Sequence, residues 1–361
     1  MEFRVTEMNA SDEFKIRTQF SDFSFRVIDP IECRSEESMR SLQNFCRCGK
    51  HCLNIKGEEM KTKLQLLTAL LLLMVVGIGQ SSAQTTTTTQ RLTSTVKTNS
   101  RILYNGGPVM IGSTNVYVIW YGCWDETCRA GNTATQAILS DFIVTVGSSP
   151  YMQVNAMYAN SAGQSPSGAV LFGGQSFDQY SHGLELTATD IQGIVSDQIT
   201  GNQLPPDPAG VYIVLASADV SSNATGFCVP GAFPHHGSGF ANGSQFKYAF
   251  AGNAARCPSV AAPQFLDSNG TQLPTPNGNL AGDAMVSTIA HLINVVVTNP
   301  FGTGWFDRYG LQTADKCFGE FGTTYLVNGG RANIRLGQRD YLIQQNWIND
   351  RKGHCAMNTS L

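Results

Sequence analysis

Charge is scarce in this chain: 14% of its 361 residues are Asp, Glu, Lys or Arg, and the formal net charge is -3. So weak and so balanced a charge provides no electrostatic footprint for nucleic acid. At 42% hydrophobic residues the chain is also too apolar to stay disordered. Other hallmarks are missing as well. The Gly-rich stretches Asn105-Gly106-Gly107-Pro108 and Asn328-Gly329-Gly330 lack the Lys-Ser/Thr that a phosphate loop needs, so they read as turns. No Gly-x-Ser-x-Gly elbow surrounds Ser238, which leaves the imidazoles of Pro234-His235-His236-Gly237-Ser238 as turn residues that cap backbone groups. His182 stands alone in a loop, with solvent as its default partner. What the chain does have is 36 Gly and 14 Pro, a loop-rich composition that excludes a fibrous or coiled-coil protein.

The few charges are unevenly placed. Residues 1–59 carry 9 Lys+Arg and 11 Asp+Glu, whereas residues 84–361 carry 13 and 16. At the junction, Met60-Lys61-Thr62-Lys63 puts two positive charges before the apolar run Leu64–Ile78, and Ser81-Ser82-Ala83 supplies small residues for cleavage. The run is short for a bilayer span and ends in polar residues, so a secretory signal over 60–83 fits better than a membrane anchor. A signal normally opens a protein. Residues 1–59 are therefore expected to be an upstream or mis-annotated extension, with a Thr-rich, flexible segment at 84–100 and one domain over 101–361.

The same boundary sorts the cysteines. Cys33, Cys46, Cys48 and Cys52 lie upstream, and Cys46-x-Cys48-x3-Cys52 with His51 fits no common zinc module. Downstream are six, Cys123, Cys128, Cys228, Cys257, Cys317 and Cys355, an even count that favours disulfides in an exported chain.

The spacing of apolar residues predicts strands at Val116–Tyr121, Ala169–Phe172, Val211–Ala216 and Phe246–Ala251. It predicts helices at Thr133–Val146, Thr187–Thr200 and Ala284–Val297, the last ended by Thr298-Asn299-Pro300. The expected class is α/β, or α+β, with a single mixed sheet and packed helices.

The runs Val214-Leu215-Ala216-Ser217-Ala218-Asp219-Val220, Gly226-Phe227-Cys228, His236-Gly237-Ser238, Cys257-Pro258 and Thr298-Asn299-Pro300-Phe301-Gly302 resemble the EXORDIUM family, also called phosphate-induced protein 1. The resemblance spans about residues 100–361, in order. It implies a secreted apoplastic or cell-wall protein linked to growth and nutrient responses, with no established catalytic activity. Relatives usually have a second Cys shortly after the positions of Cys228 and Cys257, where this chain has Ala232 and Ala261. The loss of both implies that they were partners. The pairing implied for this chain is Cys228 with Cys257 and Cys317 with Cys355, plus a local Cys123–Cys128 bridge of its own.

The last helix carries a second resemblance. His291-Leu292-Ile293-Asn294-Val295-Val296-Val297-Thr298-Asn299-Pro300 is similar to a secreted metallopeptidase helix reading His-Glu-Leu-Ala-Glu-Ala-Val-Thr-Asp-Pro, and Gly304-Trp305-Phe306-Asp307 and Ala314-Asp315-Lys316-Cys317 extend the likeness. A zincin helix needs two metal ligands one turn apart and a Glu that takes a proton from the bound water. Here Leu292 stands in place of the base and Val295 in place of the second ligand. The implied fold is a zincin-like scaffold with a decayed centre, and no cofactor is expected. Zinc at His291 with Asp307, Asp315 or the His235–His236 pair is the alternative, and would make the chain a metal-dependent extracellular hydrolase with an unconventional ligand set.

The expected partner is an extracellular or cell-wall component, carbohydrate included, because loop aromatics among Trp120, Tyr121, Trp124, Trp305, Phe306, Tyr309 and Trp347 can stack on sugar rings. Neither nucleic acid nor, after signal cleavage, membrane is expected. Sequons at Asn223, Asn242, Asn269 and Asn358 mark surface positions if the source glycosylates.

Overall fold

The computed structural model describes residues 101–222 and 225–359, together with three short strands nearer the N-terminus. The expected signal and Thr-rich segments, the upstream cysteines other than Cys52, and Asn223 lie outside the described residues. The chain divides into two units, Met1–Thr87 and Thr88–Leu361. In the first, β1 (Glu13–Arg17), β2 (Asp22–Ile28) and β3 (Cys52–Leu53) form an antiparallel sheet in the order β1-β2-β3.

The second unit is built on a five-stranded sheet. After β4 (Leu103–Tyr104) come β5 (Gly112–Tyr121), α1 (Asn132–Val146), the one-turn α2 (Pro150–Gln153) and β6 (Pro166–Asp178). There follow α3 (Ala188–Thr200), β7 (Gly210–Ala216), β8 (His235–Ala241), β9 (Ser244–Ala251), the one-turn α4 (Pro258–Ala261) and α5 (Leu280–Thr298). The strand order is β6-β5-β7-β9-β8, parallel except for β8, which runs antiparallel at one edge. Four two-stranded ribbons complete the unit. They pair β4 with β10 (Trp305–Phe306), β11 (Tyr325–Val327) with β12 (Gly330–Ala332), β13 (Ile334–Leu336) with β14 (Arg339–Tyr341), and β15 (Asn346–Ile348) with β16 (His354–Ala356).

Alternation along the strands makes two cores. Val116, Val118 and Trp120 with Ile213 and Leu215 face α1 and α5, whereas Ile119, Tyr121, Val214 and Phe250 face α3. Every residue of β7 is buried, which is why its sequence is one apolar run without alternation. The 19-residue α5 is apolar enough to cross a bilayer by length and composition, but here it is the core helix, almost entirely buried.

Two expectations change. The strand predicted at Ala169–Phe172 extends to Asp178, because Gly173 is bulged out opposite the Val116–Tyr117 step; a Cβ there would lie 2.7 Å from the Tyr117 ring. The His235–Ser238 stretch, read as a turn, is edge strand β8, joined to β9 through Asn242 and Gly243, both at positive φ (49° and 73°) as a two-residue type I′ hairpin requires.

The disulfides are Cys228–Cys257 and Cys317–Cys355, the pairs that the family resemblance implied, and Cys123–Cys128, the local bridge expected of this chain alone. The 29-residue separation closed by Cys228–Cys257 is worth about 3–4 kcal/mol in the chain-entropy account. Helix α3 starts with a reciprocal cap: Asp190 N donates to Thr187 Oγ1 (3.1 Å) and Thr187 N to Asp190 Oδ2 (2.7 Å). Replacing Thr187 by Ala removes half of it. Thr187→Ala should lower the unfolding free energy by about 1 kcal/mol in denaturant titration, and an unchanged midpoint would contradict the cap.

Candidate functional site

Helix α5 turns a polar stripe toward the C-terminal segment. Ser287, His291, Asn294 and Thr298 recur at intervals of four, three and four, so they share one face of an otherwise apolar helix, and all four are buried. Each finds a partner beyond residue 310. Ser287 Oγ accepts from Gln344 N (3.0 Å), and His291 Nδ1 lies 3.2 Å from Gln344 Oε1. Asn294 Oδ1 accepts from Asn346 Nδ2 (2.9 Å) and Asn155 Nδ2 (2.7 Å), and Thr298 Oγ1 lies 3.3 Å from Thr313 Oγ1. The other ring nitrogen of His291, Nε2, is 3.0 Å from Asp315 Oδ1, at ion-pair distance but out of hydrogen-bond alignment. Phe233 stacks on the ring at 6.4 Å and Phe318 meets it edge-on at 6.0 Å.

Where α5 ends, a cleft of about 410 Å³ opens between β8 and the turn Asn299–Gly302, with Phe306 and Gln312 also in its wall. Pro300 stops the helix and Asn299 shapes the turn beyond it: its Oδ1 accepts from Gly304 N (2.6 Å) and its Nδ2 donates to Gln312 Oε1 (2.9 Å). Gly304 is required here, because a Cβ would lie 2.6 Å from Thr298 O. His236 Nε2 meets the same Gln312 oxygen at 3.1 Å. An amide oxygen only accepts, so Nε2 carries the proton, and Nδ1 is left with a bare lone pair, buried and without a protein partner. Burial pulls the His236 imidazole down to about 4, outweighing its bond to Gln312 and the charge of Asp315, while His235 and His291 push the same way as burial. Gln312 N donates to Asp315 Oδ2 (2.8 Å), so one residue links the cleft to the buried His291–Asp315 pair.

The sequence candidates therefore separate. His291 and Asp315 come together, and His236 stands nearby at the cleft. His235 is its strand neighbour and so points to the opposite face of the sheet, 3.4 Å from Tyr248 Oη; the two histidines cannot act as a pair. Asp307 is elsewhere engaged, 3.3 Å from Lys316 Nζ and accepting from Tyr309 N and Leu311 N. Leu292 and Val295 are fully buried and offer no ligand atom. Among the described residues, the His, Cys, Asp and Glu group of three or more with ligand atoms within 4.8 Å of one another is Cys123, Asp125 and Cys128, where both sulfurs are in a disulfide. These donors do not fit a zinc site of the zincin kind, which needs at least three protein ligands around one point.

His182 is not left to solvent: its Nε2 lies 3.0 Å from Asp197 and its Nδ1 3.7 Å from Asp190, both on α3. Trp124 is 4% exposed, with Nε1 donating to Tyr121 O and Leu215 O, so it shares no open surface with the half-buried Trp305. Trp120 and Tyr121 are core residues, as the strand predicted at Val116–Tyr121 implied, and so is Trp347. Of the sequons, Asn242 and Asn269 are exposed on turns and Asn358 is half-buried. What the sequence reading missed is the cleft itself, with Phe301, Gln312 and the orphan nitrogen of His236. The Asn242-Gly243 hairpin signal would have placed His236 on a strand beside the Thr298–Gly302 block.

Between pH 6.5 and about 4 the unfolded chain takes up a proton at His236 and the folded chain does not. Stability should therefore fall as pH is lowered through that window, by on the order of 3 kcal/mol, and level off below it. His236→Gln should flatten that part of the curve in denaturant titrations; a variant curve as steep as the native one would contradict the assignment.

The sequence profile described as "Phosphate-induced protein 1 conserved region" matches residues 102–339. Protein EXORDIUM-like 3 of Arabidopsis thaliana is 30% identical over 281 residues, 68% of this chain and 80% of that protein. Protein EXORDIUM of the same plant is 30% identical over 244 residues, covering 61% and 73%. Protein PHOSPHATE-INDUCED 1 of Nicotiana tabacum is 29% identical over 246 residues, covering 62% and 74%. No solved structure matches the chain.

Proposed function

The chain belongs to the phosphate-induced protein 1 family, and from that premise we propose that it works outside the cell, in the apoplast or wall, by binding a carbohydrate in the cleft beside Asn299–Gly302. Its role in this reading is in growth or nutrient response, as the family resemblance implies, with phosphate the nutrient that the name of the Nicotiana tabacum relative points to. Export would start from the signal at Met60, with a mature chain from Gln84.

The orphan Nδ1 of His236 carries the proposal. A buried acceptor without a partner is costly, and because this nitrogen is closed to solvent in the free chain, a ligand hydroxyl supplies the missing donor only as the His236 ring turns toward the cleft that it lines. Phe301 and Phe306, both in the cleft wall, offer ring faces on which the apolar side of a sugar can stack. The cleft contains no charged side chain, which suits a neutral saccharide better than an ionic ligand. Beneath it, the zincin-like centre is read as decayed: His291 serves as a docking residue, and Leu292 and Val295, where such a helix would hold its base and second ligand, offer neither a proton acceptor nor a lone pair. The hydrolase reading draws on the 3.0 Å approach of His291 and Asp315, but a pair of donors without a third leaves it the weaker.

The test is an array of cell-wall oligosaccharides probed with the secreted chain. Binding should weaken at least about tenfold in Gln312→Ala and in Phe306→Ala, the loss expected of a removed hydrogen bond or stacking face. An array silent to the native protein, or bound equally by the variants, would overturn the proposal.

A further inference from the structure

A second pocket, of about 600 Å³, lies on the other side of the Pro300–Phe301 turn, at the amino ends of the parallel strands. It is bounded by the segment before β5, which supplies Val109, Met110 and Ile111, by Pro208 and Ala209 before β7, and by the start of β9. Its lining is mostly apolar, with one charged group, Lys247.

Lys247 is an unusual residue in that position. It projects from β9 to the same face as Ala249 and Ala251, toward the end of α5, and is only 4% exposed. Its ammonium donates to Pro208 O and sits 5.9 Å from the centre of the Phe301 ring, so the head group lies between two residues of the pocket wall. Among the described residues no carboxylate comes within 4.0 Å of it. The acid that influences it, Asp207, is already bonded to Asn115 Nδ2 (2.7 Å) and Tyr117 Oη (3.0 Å). An ammonium has three donors, and one carbonyl bond with a ring face is a poor replacement for the water removed by burial. Consistent with that, burial holds the Lys247 amine below the ordinary lysine range.

We propose that this pocket binds an organic carboxylate with an apolar body, the carboxylate pairing with Lys247 and the body lying against Met110, Ile111 and Phe301. The charge that the protein leaves unpaired selects the anion, and the apolar wall selects its body. This pocket shares Pro300 and Phe301 with the carbohydrate cleft but rests on Lys247, which the cleft lacks, so it stands whether or not that reading holds.

Calorimetric titration of the secreted chain with octanoate and with octanol tests it. Octanoate should bind at least tenfold more tightly than octanol, and Lys247→Met should remove that preference. In case Lys247→Met fails to fold, Ile111→Asp provides a second variant. Ile111 is 43% exposed and lies in the apolar wall, so Ile111→Asp should weaken both probes, and octanoate at least tenfold more than octanol because the new carboxylate repels the anion. No octanoate binding at millimolar concentration, equal binding of the two probes, or an unchanged preference in a folded Lys247→Met protein would each overturn the proposal.

Discussion

The docking of the C-terminal segment onto the polar stripe of α5 is the constraint on which the rest of the second unit depends. A helix in the middle of a domain normally buries an apolar surface all round, and four polar side chains on one face would be prohibitive without partners. Gln344, Asn346 and Thr313 supply hydrogen bonds directed at single atoms of the helix, and Asp315 brings a carboxylate close to His291, so the segment from Thr313 onward is held in place. The Cys317–Cys355 bridge fastens the same segment covalently. Fixing it also fixes Gln312, and Gln312 in turn holds His236 and Asn299 at the cleft.

This arrangement gives His291 a physical role that does not depend on chemistry. In a hydrolytic centre an imidazole at this point would present a nitrogen to a metal. Here one nitrogen faces an amide, the other faces a carboxylate, and two phenylalanines cover the ring. The turn at the end of the helix, and not this face, borders the two pockets. Pro300 and Phe301 line both a neutral cleft and a pocket with a buried cation, so the same turn borders two pockets of different lining.

Much of the framework was legible because the core is written in continuous or regularly spaced apolar residues. Val211–Ala216 had to be a strand buried on both faces, and Ile191, Ile194, Val195 and Ile199 had to be one side of a helix. Edge strands were harder. In β8, two histidines and two glycines have little strand propensity, and the partner that makes them a strand is β9 across the hairpin. In β6, Gly173-Gly174 reads as a strand end but forms a bulge. The site was legible only in its chain-local part, the Thr298–Gly302 block. Its other members come from afar: Gln344 is 53 residues from His291, and Gln312 is 76 from His236, contacts that local sequence patterns do not encode.

The central claim is that protein groups, without a metal, close the polar face of α5. It is tested most directly by measuring the metal content of residues 84–361, produced in a secreting host and purified without a His tag or chelator. The expected result is a protein essentially free of zinc whose unfolding transition is unchanged when a chelator is added. Near one zinc per chain, lost together with stability in His291→Ala, would contradict it.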